Sequence, residues 1–140
     1  EAAYYVLFGI YFYMNGMKRA ALCAVFIVLF GLPVLLLFPA WLLGVWAYHQ
    51  VKNKTLPVRY AWVCAIAPPL IYCVFQWLGI PGTLLIITKL ALGQEFVDSV
   101  LRFSDEFAWN LIIAQLVAFH LVGMSVLFEK YKKVWKSRDL

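Results

Sequence analysis

Charged side chains are scarce in this chain of 140 residues: Asp, Glu, Lys and Arg together make up 14%, against 65% hydrophobic residues. Soluble domains average about 25% charged residues. A water-soluble globule of this size would have too few polar residues to cover its surface. Intrinsic disorder is excluded as well, because it requires low hydrophobicity and high charge. The composition therefore predicts an all-α, polytopic transmembrane helical bundle.

Cysteine and histidine are also rare, with three cysteines and two histidines in the chain. Cys23, Cys64 and Cys73 all lie in apolar runs. On one helix, Cys64 and Cys73 would lie about 13 Å apart along the axis and on opposite faces, so they cannot form a disulfide. The chain has no CxxC and no Cys/His cluster with metal-ligand spacing. We expect no metal site, no bound cofactor, and cysteines that act as small core residues.

The motifs of soluble catalysis are missing too. We find no Ser/His/Asp arrangement, no phosphate-binding loop and no HExxH. The formal net charge of +5 is explained by membrane topology and by attraction to anionic lipid, so we expect membrane lipid and no nucleic acid as a partner.

The apolar runs are separated by clusters of basic residues, and these clusters decide the topology. Residues 20–49 would form about 45 Å of helix, which is long for one crossing and short for two. If this run crosses once, the basic residues divide four against eight across the membrane; if it turns back near Gly31-Leu32-Pro33, they divide ten against two. The positive-inside rule favours the turn.

We therefore predict five membrane segments, at about 2–14, 20–32, 34–49, 60–80 and 107–128. The first, third and fifth run toward the cytoplasm, and the other two run outward. The basic loops and the C-terminal tail are then cytoplasmic. Pro68-Pro69, in the middle of the fourth segment, should kink it.

An outer loop at 81–106 joins the last two segments in this topology. Within it, Phe96, Val97, Val100 and Leu101 fall on one helical face, with polar residues opposite. This pattern predicts an amphipathic helix that lies in the membrane interface. Asp98 and Arg102 are spaced to form an i,i+4 ion pair.

Polar residues inside the membrane are the candidate functional residues. His120 lies in the middle of the last segment, and Asn110 lies ten positions earlier on the same helix. A buried histidine of this kind serves more often as hydrogen-bonded packing than as a catalyst. Glu1 enters at the outer end of the first segment, where a carboxylate could orient a substrate hydroxyl.

Three stretches resemble the acyltransferase-3 family of integral-membrane O-acyltransferases. Glu1-Ala-Ala-Tyr-Tyr-Val-Leu-Phe-Gly is similar to the second half of the family motif Trp-Ser-Leu-x-x-Glu-x-x-x-Tyr, with Glu1 and Tyr5 at its Glu and final Tyr. Pro39-Ala-Trp-Leu-Leu-Gly-Val-Trp-Ala-Tyr48 resembles a later helix of the family. Phe103-Ser-Asp-Glu-Phe-Ala-Trp-Asn110, with His120-Leu-Val-Gly123, resembles a stretch of the polysaccharide-modifying members.

The resemblance implies a segment from the middle and later helices of a domain that acylates cell-surface carbohydrate. An acyl group, often acetyl, would pass from acyl-CoA to a hydroxyl of a carbohydrate or lipid-linked glycan. Glu1 would position the acceptor and Tyr5 would contact the substrate. The family's catalytic histidine belongs to earlier helices, so we do not assign that role to His120. The partners would include the remaining helices of the parent domain, in a bacterial inner membrane.

Two alternatives remain open at this point. The chain lacks a complete catalytic set, so it could instead be a non-enzymatic membrane protein such as a transporter subunit or assembly scaffold. The first apolar run, at 2–14, is shorter than the roughly 20 residues of a full crossing. We therefore expect a piece of a longer protein, the alternative being a complete small protein with a short or tilted first helix.

Overall fold

The fold is entirely helical in the part of the chain that the structure describes. The computed structural model describes residues 2–53, 56–101 and 104–136. The elements are α1 (Ala2–Tyr13), α2 (Gly16–Asn53), α3 (Val58–Trp77), α4 (Ile80–Leu92), the short α5 (Gln94–Phe96), a π turn (Val97–Leu101) and α6 (Phe107–Lys136). The predicted all-α class is confirmed.

Three helical stretches are long and apolar enough to cross a membrane. They are Gly31–Asn53, Val58–Trp77 and Phe107–Lys132, and they contain or closely match the predicted segments 34–49, 60–80 and 107–128. The predicted segments 2–14 and 20–32 are helical as well. They correspond to α1 and to the beginning of α2, which are shorter.

Gly31 divides α2 into two arms. Its φ of 76° and ψ of 178° lie outside the helical region, in a part of backbone space that is essentially restricted to glycine. We call residues 16–30 the first arm and Gly31–Asn53 the second arm. Pro33 follows within the first turn of the second arm, where the missing N–H of proline costs no helical hydrogen bond.

The two arms turn back on each other at Gly31. Cys23 of the first arm and Leu42 of the second arm line one cavity together with Leu7 and Phe12 of α1. Leu7 and Phe12 are ~8 Å apart along α1, whereas Cys23 and Leu42 would be ~28 Å apart on a straight helix. Both arms can reach the same stretch of α1 only if the chain folds back. The helical hairpin favoured by the distribution of basic residues is the arrangement observed.

The helices lie in the order α1, second arm, α6, α3. Aromatic contacts join α1 to the second arm, and the second arm packs on α6 through Ala47, Ala118 and Val122. The second arm and α6 run parallel, because Trp46 meets Phe119 at one level, and Val51 and Ser125, five and six residues further on, line the same cavity. The third helix is antiparallel to α6. These directions agree with the alternating crossings that the sequence predicts.

The interface between α3 and α6 is built from small residues. Ala61 is fully buried and Ala65 is 6% exposed, and both face Gly123 of α6. A Cβ atom added to Gly123 would lie 2.6 Å from the Ala65 nitrogen and 2.7 Å from the Ala61 oxygen. Small residues let two membrane helices approach until their backbones touch. Gly123 is therefore required by the close contact of the two helices.

The predicted outer loop at 81–106 is more ordered than expected. Its first half is the helix α4, which carries Pro81 at its N-terminus as helices often do. The predicted interfacial helix is present only as α5 and the π turn, where Val97 and Leu101 are fully buried. The predicted partner of Asp98, Arg102, lies outside the described residues. Asp98 contacts Lys89 of α4, with 3.2 Å between Nζ and Oδ1.

Basic residues at the helix ends collect on one end of the bundle. Arg19 lies over Tyr11 where α1 meets the first arm, and Lys52 lies over Tyr48 at the end of the second arm. Arg59 lies over Tyr60 at the beginning of α3. Because the second arm and α6 are parallel, the end of α6 that carries Lys130 and Lys132 lies on this side too.

Candidate functional site

His120 forms a hydrogen bond between two helices in the middle of the bundle. Its Nδ1 lies 2.8 Å from the main-chain oxygen of Ala65 in α3. A carbonyl oxygen only accepts, so Nδ1 carries the proton and donates. In the neutral ring, Nε2 is then left as an acceptor. His120 thus serves first as hydrogen-bonded packing, as its isolated position in an apolar helix indicated.

A proline leaves the carbonyl of Ala65 without its usual hydrogen-bond partner inside α3. In an α-helix the oxygen of residue 65 would accept the N–H of residue 69, but residue 69 is Pro69, which has no N–H. The helix nevertheless continues through Pro68 and Pro69 to Trp77. A neighbouring side chain can satisfy a carbonyl freed in this way within a membrane. His120 supplies that donor from α6.

A shallow apolar groove adjoins His120. It has a volume of about 370 Å³ and is lined by α3 and α6. The α3 side contributes both prolines, Tyr72 and Cys73, and the α6 side contributes Ile113, Leu116, Val117 and His120. The Tyr72 hydroxyl accepts a hydrogen bond from Gln76 Nε2 at 3.1 Å. His120 and Tyr72 thus bring two ionisable rings to this groove.

A cluster of aromatic rings joins α1 to the second arm of α2. We call it the aromatic junction, and it consists of Tyr4, Tyr5, Phe8, Phe38 and Trp41. Trp41 lies at its centre, with ring centroids 5.1 Å from Phe8, 6.0 Å from Tyr5 and 6.5 Å from Tyr4. Phe38 stacks on Trp41 at 5.9 Å.

Helical spacing explains why these rings meet. Tyr4 and Phe8 are four positions apart on α1, and Phe38 and Trp41 are three positions apart on the second arm, so each pair shares a helix face. Edge-to-face and offset-stacked rings attract each other by roughly 0.5–1.5 kcal/mol beyond their burial. Tyr5 is 65% exposed although it touches Trp41. Its hydroxyl is therefore accessible to another molecule.

The predicted site residues do not converge on one place. Tyr5 lies in the aromatic junction, whereas His120 lies on the other side of the second arm, against α3. Asn110 is half-buried near the beginning of α6, ~15 Å along the helix from His120. Glu1, the predicted acceptor-positioning carboxylate, lies outside the described residues.

No group of three or more His, Cys, Asp or Glu side chains suited to hold a metal ion occurs among the described residues.

Comparisons with known proteins add nothing to this geometry. No protein-family model, no curated protein and no solved structure matches the chain.

The sequence identifies His120 as a candidate but does not reveal its partner. A signal is present in Pro69, because a proline inside an apolar helix always frees the carbonyl four residues earlier. What the sequence does not show is which neighbouring helix packs at that level. Gly123 carries a similar signal, since a glycine in a membrane helix indicates a close helix contact.

Proposed function

We propose that the chain is part of a membrane-bound acyltransferase that transfers an acyl group, such as acetyl, to hydroxyls of a cell-surface carbohydrate. The acyl donor is acyl-CoA and the acceptor is a carbohydrate or a lipid-linked glycan. In this reaction the acceptor oxygen forms a bond to the acyl carbon, the thioester C–S bond breaks, and the hydroxyl proton ends on the released thiol.

One contact supports this proposal most directly. Tyr5 belongs to the stretch that resembles the family motif, and Trp41 belongs to the stretch that resembles a later family helix. The two rings touch edge to face with 6.0 Å between their centroids. This contact brings two of the three resembling stretches together, as expected if they belong to one domain.

The third stretch lies next to the same helix. Val122, which belongs to that stretch, packs in one buried apolar cluster with Ala47 of the second arm. The first and third stretches therefore both contact the second arm of α2, which carries the second stretch. The exposed hydroxyl of Tyr5 lies one turn from the N-terminal end of α1, the direction in which Glu1 precedes it.

In the proposed enzyme, Glu1 orients the acceptor hydroxyl and Tyr5 contacts the sugar. The general base or acyl carrier is a histidine in helices that precede this chain in its parent protein. The basic end of the bundle faces the cytoplasm of a bacterial cell, and Glu1 then faces the outer side of its inner membrane. Membrane lipid and the other helices of the parent domain are the partners.

The test is glycan acylation by the full-length parent protein. Glu1→Gln removes the charge and keeps the shape, and we expect acylation of the carbohydrate, measured by mass spectrometry, to fall at least tenfold. Glu95→Gln is the matched control, because Glu95 is an exposed glutamate on α5, outside the three resembling stretches and on the same side in the proposed topology. It should leave acylation unchanged.

Unchanged acylation in Glu1→Gln would contradict the role of Glu1. The enzyme assignment itself is tested separately by the coding sequence before Glu1. We expect Trp-Ser-Leu just before Glu1 and an Arg or Lys followed by a histidine much further back. A start codon at or near Glu1 would instead favour a non-enzymatic membrane protein.

A further inference from the structure

The cavity between α1 and the two arms of α2 has the properties of a lipid site. Its volume is about 440 Å³. The walls are formed by Leu7, Phe8 and Phe12 from α1, and by Cys23 and Leu42 from the arms of α2. Among the lining side chains that the structure describes, only the Tyr11 hydroxyl and the Cys23 thiol are polar.

One part of the cavity wall, formed by Tyr11 and Phe12, lies at the basic end of the bundle. Tyr11 and Phe12, in the last turn of α1, are 60% and 63% exposed although they line it. Leu7, one turn deeper, is 9% exposed. An apolar chain can therefore enter beside Tyr11 and Phe12 and reach Leu7.

A cation lies at this opening. The guanidinium carbon of Arg19 lies 5.1 Å from the centroid of the Tyr11 ring. This cation–π contact holds the charge beside a side chain that lines the cavity. Lys18 precedes Arg19 and adds a second positive charge at the beginning of the first arm.

The chain offers these two cations no nearby counter-ion on their own helices. Residues 2–53, which form α1 and α2, contain no Asp and no Glu. A guanidinium beside an apolar cavity is electrostatically matched by a phosphate, which it binds with two parallel hydrogen bonds. The ligand that fits both features has an acyl chain and an anionic phosphate head.

We propose that this cavity binds one acyl chain of an anionic phospholipid, with the lipid phosphate paired to Arg19. The α1 helix and both arms of α2 are apolar and lie among the membrane segments, so a bilayer lipid reaches the opening directly. Binding at this site does not depend on the acyltransferase proposal, since it uses neither Glu1 nor Tyr5.

The proposal is tested with the purified full chain in detergent micelles. Native mass spectrometry follows binding of dioleoylphosphatidylglycerol, dioleoylphosphatidylcholine and glycerol phosphate. We expect one phosphatidylglycerol to bind on the order of fivefold more tightly than phosphatidylcholine, the usual effect of one basic residue near an anionic lipid. Glycerol phosphate, which lacks acyl chains, should not bind measurably.

Two arginine variants separate this site from general surface charge. Arg19→Gln should reduce phosphatidylglycerol binding to the level of phosphatidylcholine. Arg59→Gln is the matched control, because Arg59 also lies over a tyrosine ring, 4.6 Å from the centroid of Tyr60, and neither residue lines this cavity. It should keep the preference for the anionic lipid.

A third variant fills the cavity. Cys23→Phe places a ring where the acyl chain would lie, and we expect it to weaken binding of both phospholipids while circular dichroism shows retained helix. If Cys23→Phe does not fold, the comparison of Arg19→Gln with Arg59→Gln decides whether the proposal holds.

Any of four results would overturn the proposal. These are equal binding of both phospholipids by the wild type, equal losses in the two arginine variants, binding of glycerol phosphate alone, and full lipid binding by a folded Cys23→Phe.

Discussion

His120 Nδ1 and the main-chain oxygen of Ala65 lie 2.8 Å apart across the interface of α6 and α3. Pro69, four residues after Ala65, removes the N–H that would otherwise occupy this oxygen. The histidine and the proline therefore form one unit although they lie on different helices. Their hydrogen bond satisfies both the carbonyl that Pro69 leaves without a helical partner and the Nδ1–H of His120. Neither polar group is therefore left unpaired in apolar surroundings.

This relationship predicts an interaction that a double-mutant cycle can measure. His120→Leu should reduce the free energy of unfolding in mixed micelles by about 1 kcal/mol, within the range for hydrogen bonds between membrane helices. In the Pro69→Ala background the same change should cost less, because the introduced alanine supplies an N–H to the oxygen of Ala65.

The control for this cycle is Gln115→Leu, which changes an exposed polar residue of the same helix. It should alter the free energy of unfolding equally in the wild-type and Pro69→Ala backgrounds. If His120→Leu costs the same in both backgrounds, the hydrogen bond and the proline are not coupled.

A second prediction concerns the closest backbone contact. Gly123→Ala places a Cβ 2.6 Å from the Ala65 nitrogen and 2.7 Å from the Ala61 oxygen. Both atoms are backbone and cannot swing aside, so α3 and α6 must separate. We expect the free energy of unfolding to fall by about 1–3 kcal/mol, the usual cost of overpacking.

Gly44→Ala is the control for that measurement, because nothing lies within 4 Å of a Cβ placed at Gly44. Alanine forms helices better than glycine, so Gly44→Ala should be neutral or slightly stabilising in the same unfolding assay. Equal losses in the two variants would mean that α3 and α6 are not in backbone contact at Gly123.

The third prediction concerns the aromatic junction. Trp41→Leu removes the central ring, which contacts four other rings. We expect a loss of about 2 kcal/mol in the free energy of unfolding, from several aromatic pairs of roughly 0.5–1.5 kcal/mol each. Trp77→Leu should cost far less, since Trp77 is 85% exposed. Similar losses in both variants would mean that the ring contacts of Trp41 do not stabilise the fold.

Much of the fold follows from a few residues of the sequence. The basic clusters predict the helix directions, and Gly31-Leu32-Pro33 predicts the turn, because a glycine can take the backbone angles that a sharp reversal requires. The segment between α3 and α6 was harder to predict. The i,i+4 rule predicts a partner for Asp98 within its own helix, but it does not predict the contact with Lys89 of α4, whose Nζ lies 3.2 Å from Asp98 Oδ1.

The site was less predictable than the fold, because its contacts join residues that are far apart in the chain. Periodicity places His120 inside a helix and Pro69 inside another, yet it does not say that the two helices touch at that level. The cavity beside Arg19 likewise forms where α1 and the two arms of α2 meet, and periodicity does not predict that meeting. The sequence shows Lys18 and Arg19, but it does not show the cavity beside them.

The final prediction tests the hairpin at Gly31. An alanine at residue 31 would have to adopt a φ of 76° with a ψ of 178°, which costs about 1–3 kcal/mol for a residue with a Cβ. The two arms would then open toward a continuous helix, where Cys23 and residue 42 are ~28 Å apart.

Cross-linking measures this opening directly. In a protein with Leu42→Cys, Cys64→Ser and Cys73→Ser, a short bifunctional maleimide should join Cys23 to the new cysteine, because both positions line one cavity. Adding Gly31→Ala should lower the yield several-fold. Adding Gly9→Ala should not, because nothing lies within 4 Å of a Cβ placed at Gly9. Efficient cross-linking in the Gly31→Ala protein would show that residues other than Gly31 set the reversal, and the apposed arms would then depend on Pro33 and on packing against α1.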